Sequence, residues 1–163
     1  MPAPVPAPTP ADIQRLALLI EAEAIQLREF IGVLEKETAL LIAADIDALM
    51  TLTKDKTDRY RQLQRLHDDR AMLLGRMGRS HSDASIRELC KNLPRVLGRW
   101  EEVLTLARDA RERNQLTGKL IHERMQHNQT ALSVLLAAAD QPQLYDAAGN
   151  ARPTGGGRML GSA

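Results

Sequence analysis

Between Ala11 and Leu74 the chain holds no proline and one glycine, Gly32, and its apolar residues recur at helical spacing. Ile13, Ile20, Leu27, Leu34 and Leu41 fall seven apart, with Leu16 and Phe30 at the companion positions. A seam of this kind marks a helix face that packs on another helix. Glu23 and Glu37 interrupt the companion set. Thr9-Pro10-Ala11-Asp12 predicts where the helix begins: Thr9 can cap it, Pro10 suits the first helical position, and Asp12 favours the positive end of the dipole. The first helix is expected to end near residues 41–44, where Asp45 can cap a second. That second helix carries Ile46, Leu49, Leu52, Lys56, Tyr60, Leu63, Leu66, Leu73 and Met77. Two helices of about 45 Å joined by a tight turn must pack antiparallel. One continuous helix through Asp45 is the alternative.

Gly75 and Gly78 are expected to stop the second helix, and residues 79–84 read as a polar loop. Ser85-Ile86-Arg87-Glu88 has a capping-box pattern and predicts a short helix that Pro94 ends or kinks. A last long helix is predicted from about Arg95 to Ala139, with the stripe Val96, Trp100, Val103, Ala107, Ala110, Asn114, Thr117, Ile121, Asn128, Ala131 and Leu135. Three polar residues on that stripe have two readings. Asn114, Thr117 and Asn128 either fix register as buried polar groups or line a groove for a partner backbone. Lys56 is equally ambiguous, since its stem can cover apolar surface while its ammonium reaches water. The fold class is therefore all-α: an antiparallel bundle comprising a two-helix hairpin, a short helix and a long C-terminal helix, with flexible N- and C-terminal tails. Residues 1–9 read as a disordered Pro-rich arm, 10–139 as the bundle, and 140–163 as a flexible binding tail.

Composition narrows the function classes. Apolar residues make up 44% of the 163 residues but aromatic residues only 2%, so the core is built from Leu, Ile, Val, Met and Ala. Charged residues make up 26%, yet the net charge is +1 and the stretch with Arg108, Arg111 and Arg113 is interleaved with Asp109 and Glu112, which argues against nucleic acid as a partner. The N-terminal MPAPVPAPTP has no basic and apolar regions of a signal peptide, and an apolar run such as residues 39–44 is far short of a membrane span. A cytoplasmic location without membrane insertion is expected. The one cysteine, Cys90, reads as a small buried hydrophobe.

No catalytic, cofactor or metal site is expected. His122 and His127 lie five apart, whereas a zincin needs histidines four apart on one helical face. Gly155-Gly156-Gly157-Arg158 lacks the strand, the Lys-Ser/Thr and the helix of a phosphate-binding loop. His67 and His81 are the candidates for a phosphotransfer bundle, but Asp68 and Asp69 follow the first and the second falls in a loop.

After Asp140 the composition changes to Pro142, Pro153 and five glycines, yet Leu144, Tyr145, Met159 and Leu160 persist. Such a segment is a candidate for folding onto a partner. Tyr145 has no long helix to belong to. It either folds back on the bundle end or anchors a partner, as tyrosine often does at interfaces.

An ordered set of segments then carries a resemblance. It comprises Leu40-Leu41 with Asp45-Ile46-Asp47-Ala48-Leu49, Leu52-Thr53 and Lys56. Next come Trp100, the run from Asn114 to Ile121, His127-Asn128 and Ala131-Leu132. The tail adds Leu144-Tyr145 with Gly149, and Gly157-Arg158-Met159-Leu160-Gly161-Ser162-Ala163. In this order the chain resembles the FlgN family of flagellar export chaperones. It departs where Thr117 stands in place of the family's usual Asn before Gly118, and where Asp146 follows Tyr145.

The resemblance implies a chaperone that shields the terminal amphipathic helices of hook–filament junction proteins. It also implies delivery of these clients to the cytoplasmic domain of the flagellar type III export gate. Leu132, Leu135, Leu136 and Leu144 are the expected client-binding residues, and Tyr145 the expected gate-docking residue. A structural coiled-coil adaptor or scaffold without an export role is the alternative. It requires stable self-association, whereas a monomer is favoured.

Overall fold

The structure, a computed structural model, describes residues 1–139. Among them are four helices and no strand: α1 (Pro10–Ala43), α2 (Ile46–Arg76), α3 (Asp83–Leu89) and α4 (Pro94–Ala139). Residues Met1–Ile121 make one compact unit, and a second begins at His122. Leu144, Tyr145 and the rest of the expected tail lie outside the described residues.

The predicted start of α1 is as the sequence implies. Thr9 Oγ1 accepts from the Asp12 backbone N–H at 3.2 Å, and the Asp12 carboxylate accepts from the Thr9 N–H at 3.1 Å. This reciprocal pair satisfies two donors that a helix leaves open. The alternative at Asp45 resolves in favour of a break. Ala44 takes a left-handed conformation with φ 56°, and Asp45 Oδ1 accepts the Ala48 N–H at 3.1 Å to open α2.

Two expectations near the short helix need correction. Ser82, not Ser85, caps α3, because Ser82 Oγ takes the Ser85 N–H at 3.2 Å. Pro94 neither ends nor kinks α3, which stops at Leu89; it opens α4 as its first residue, the position where a missing N–H costs nothing. Between α2 and α3, Gly78 has φ +66°, and a Cβ there would collide with the Val5 side chain of the N-terminal arm.

Cross-helix pairs give the directions. Glu23, Glu29 and Glu37 of α1 meet Arg70, Arg59 and Lys56 of α2, so the hairpin is antiparallel. Glu21, Arg28 and Glu35 meet Arg99, Glu102 and Arg113 of α4, so α1 and α4 run parallel and α4 is antiparallel to α2. The α3 helix lies against the start of α4, with the Trp100 indole N–H donating to Asp83 at 2.6 Å and Arg87 paired with Glu101 at 2.5 Å.

The core is aliphatic, as the composition implies. Leu16, Ile20, Ala24, Leu34, Leu73, Leu74, Ile86 and Cys90 form its centre, closed by Phe30 and Trp100. It is unevenly distributed along α2. The buried residues of α2 are Arg70, Leu73 and Leu74, all in its last two turns. No described helix is long and apolar enough to cross a membrane.

Candidate functional site

Where α2 is buried, a charged residue sits at the centre. Arg70 is 7% exposed and Glu23 4%. The Arg70 Nε donates to Glu23 Oε2 at 2.7 Å and Nη2 donates to Oε1 at 3.0 Å, the two-pronged geometry that guanidinium and carboxylate share. The same guanidinium lies 4.7 Å from the Trp100 ring centre and donates to His81 Nε2 at 2.9 Å. His67 joins this cluster, its ring 4.6 Å from that of His81. Burial, then the Arg70 charge and His67, hold the His81 imidazole below its ordinary value. The helical seam reads Glu23 as an interruption; the structure makes it the counter-ion of a buried arginine.

Glu37, the second interruption, is buried as well and accepts from Lys56 Nζ at 2.9 Å. Lys56 therefore sends its ammonium to α1 rather than only outward. Of the three polar residues on the α4 stripe, only Thr117 is buried, at 1% exposure, with its hydroxyl 3.4 Å from that of Thr38 on α1. Asn114 and Asn128 are exposed, so the reading of buried register-setting amides fails for both. For Asn114 the reason lies in the partner face: it lines a groove with α2, which buries nothing before Arg70.

That shortfall leaves a groove between α2 and α4, floored by α1, with a volume of about 670 Å³. Leu27, Phe30, Leu63, Val103, Ala107 and Ala110 supply its apolar surface, and Asn114 opens onto it. Tyr60 lies on one wall, 59% exposed although its ring is 6.5 Å from Phe30. Sequence periodicity misses this groove, because it treats Tyr60 and Leu63 as part of a closed seam. The exposed tyrosine in a chain so poor in aromatics is the signal that points to it.

The end of α4 has a different character. Leu132, Leu135 and Leu136 are 57%, 66% and 57% exposed. Helical spacing puts them on one face with Met125, which is also exposed. Scattered surface leucines are ordinary, whereas these share one face of the helix. The expected client residues Leu132, Leu135 and Leu136 are thus brought together on the described helix. The expected Leu144 and Tyr145 lie outside the described residues.

Among the described residues no group of three or more His, Cys, Asp or Glu side chains is placed to hold a metal ion. Cys90 is fully buried and burial pushes its thiol pKa up, away from nucleophilic character.

The FlgN protein family model matches residues 9–153. The chain belongs to the FlgN family. The match starts at the Thr9 cap and takes in α1 to α4 together with Leu144 and Tyr145; the segment 157–163 falls beyond it. No curated protein and no solved structure matches the chain. FlgN membership supports a chaperone role in flagellar export. It also implies interactions with cargo and export apparatus in general, and FlgN chaperones are not enzymes.

Proposed function

We propose that this FlgN protein binds the terminal amphipathic helices of hook–filament junction proteins in the cytoplasm and passes them to the cytoplasmic domain of the flagellar export gate. The observation that carries the reading is the apolar face at Leu132, Leu135 and Leu136, exposed on a helix within the family match. A client helix presents apolar anchors at i, i+3, i+4 and i+7, and such a face complements them. Leu144 would extend this surface, and Tyr145 would dock on the gate. Handing on a client requires release. A tail that orders on binding suits this, because ordering consumes part of the interaction energy.

The test is a pull-down from flagellated cells with the wild type, a Leu132→Ser/Leu135→Ser/Leu136→Ser variant and Tyr145→Ala. The reading expects junction proteins and gate with the wild type, loss of the junction proteins with the triple variant, and loss of the gate alone with Tyr145→Ala. Recovery of neither partner by the wild type would overturn it. Unchanged recovery with both variants would overturn the residue assignments.

A further inference from the structure

We infer that the groove between α2 and α4 is a second helix-docking site, whose occupant is an amphipathic helix of about four turns with carboxylates along its borders. The inference rests on the reading that the protein handles the helices of other proteins, and it adds a site and a charge rule to that reading.

The length follows from the walls. Lining residues run from Thr53 to Arg70 on α2 and from Val103 to Asn114 on α4. At 1.5 Å per residue these are walls of about 15–25 Å, and a helix of 12 to 14 residues would span the shorter one, roughly the length that is marginal in isolation. The shape follows from the helices present. Here α2 and α4 both pack beside α1 and run antiparallel to each other, and a fourth helix seated between them would complete a bundle around Phe30 and Leu63. Tyr60 would lose its exposure, supplying a rigid contact of the kind that dominates helix-in-groove binding.

The charge rule follows from the ionisable groups that line the groove. Three are cations, Lys56, Arg70 and Arg111, one is a carboxylate, Glu23, and His67 and Tyr60 complete the set. Glu23 is held by both prongs of Arg70. Lys56 shares one contact with Glu37 and has donors to spare. Arg111 is exposed and no ion pair holds it among the described residues. An occupant with Asp or Glu beside its apolar stripe would match Lys56 and Arg111, and one with Lys or Arg there would be repelled.

This chain does not itself supply such a helix. Residues 122–139 contain one carboxylate, Glu123, and residues 140–163 contain Asp140 and Asp146 against Arg152 and Arg158. The occupant is therefore a segment of another protein.

The experiment uses the full-length chain and two fluorescein-labelled 14-residue model helices. They share one leucine stripe and differ in having Glu or Lys along its borders. Binding is measured by fluorescence anisotropy at low salt to the wild type, Ala107→Trp and Arg111→Glu, with helicity of each variant checked by circular dichroism. The wild type is expected to bind the Glu-bordered helix at least tenfold more tightly than the Lys-bordered one. Ala107→Trp, which fills the groove, should weaken both by at least tenfold, and Arg111→Glu should erase or invert the preference.

Equal affinity for the two helices, no binding of either, or full binding by Ala107→Trp would overturn the proposal. So would a wild-type dimer that Ala107→Trp renders monomeric, which would make the occupant a second copy. Displacement of the Glu-bordered helix by an equimolar peptide of residues 140–163 would do the same, in favour of the chain's own tail. A failed pull-down of junction proteins leaves these binding data standing, so the two readings fail separately.

Discussion

Arg70 on α2 and Glu23 on α1 are joined by two charge-assisted hydrogen bonds, at 2.7 and 3.0 Å, with both side chains under a tenth exposed. A buried pair of this kind is weak evidence of net stabilisation, because taking two charges out of water costs several kcal/mol. Breaking it on one side is another matter. Arg70→Met or Glu23→Gln should each lower stability by about 3–5 kcal/mol, since each strands a buried charge. The double replacement Glu23→Leu/Arg70→Met should recover most of the loss. Urea melts of the four proteins check this, and a double variant no more stable than the single ones would contradict it.

The turn between α1 and α2 offers a change in each direction. Ala44 occupies a left-handed conformation at φ 56°, where a side chain is strained. Ala44→Gly should therefore raise stability by about 0.5–1 kcal/mol. Asp45→Ala removes the cap on the Ala48 N–H and should lower it by about 1 kcal/mol. Thermal unfolding of both variants reads the signs directly.

Stability should also depend on pH in two stages. Burial, Arg70 and His67 hold His81 below its ordinary value, so between that lowered value and about 6.5 the unfolded chain binds the proton that the folded chain refuses. The contribution is therefore full above about pH 6.5 and declines as pH falls through this window. A protonated His81 can no longer accept from Arg70, and its charge would face that guanidinium. The second stage comes from Asp83, held below its ordinary value by the Trp100 indole and by Arg87, and from Asp12, held low by Thr9. Their contributions are present above about pH 4 and fade below it. Urea midpoints across pH 3–8 should show both stages, and His81→Gln should flatten the one near neutrality.

Cys90 should be silent until the fold opens. Its thiol is fully buried and its pKa is raised, so thiolate is scarce and inaccessible. A disulfide reagent for free thiols should label none of the native protein and one site per chain in denaturant. Cys90→Ser, which buries a hydroxyl in apolar surroundings, should cost about 1–3 kcal/mol.

Where the chain folds by local rules, its sequence was readable. Thr9-Pro10 and Asp45 announce helix starts because a cap needs only residues three positions away. Ser82 and Ser85 show the limit of that logic: either serine can begin a helix, and the choice depends on which oxygen meets the other's N–H. Long-range partners are beyond it. Glu23 and Glu37 look like flaws in an apolar seam because Arg70 and Lys56 stand 47 and 19 positions away. Periodicity likewise leaves Asn114 open between a buried amide and a groove-lining one, because it cannot know that α2 buries nothing before Arg70. The leucine face on α4 could be read as a candidate surface from the same spacing that serves for a core, since what separates the two is whether another helix covers it.

The ties within the hairpin join residues 19 to 47 positions apart, whereas those from α1 to α4 span 74 to 79. On a ribosome, α1 and α2 can therefore meet while α4 is still being made. During that interval Arg70 and Glu23 attract each other through water, cheaply and weakly. The arrival of Trp100 seals them, so the dehydration of both ions falls on the docking of α4. A nascent chain halted before Trp100 would thus hold a salt bridge that it has not yet had to dry.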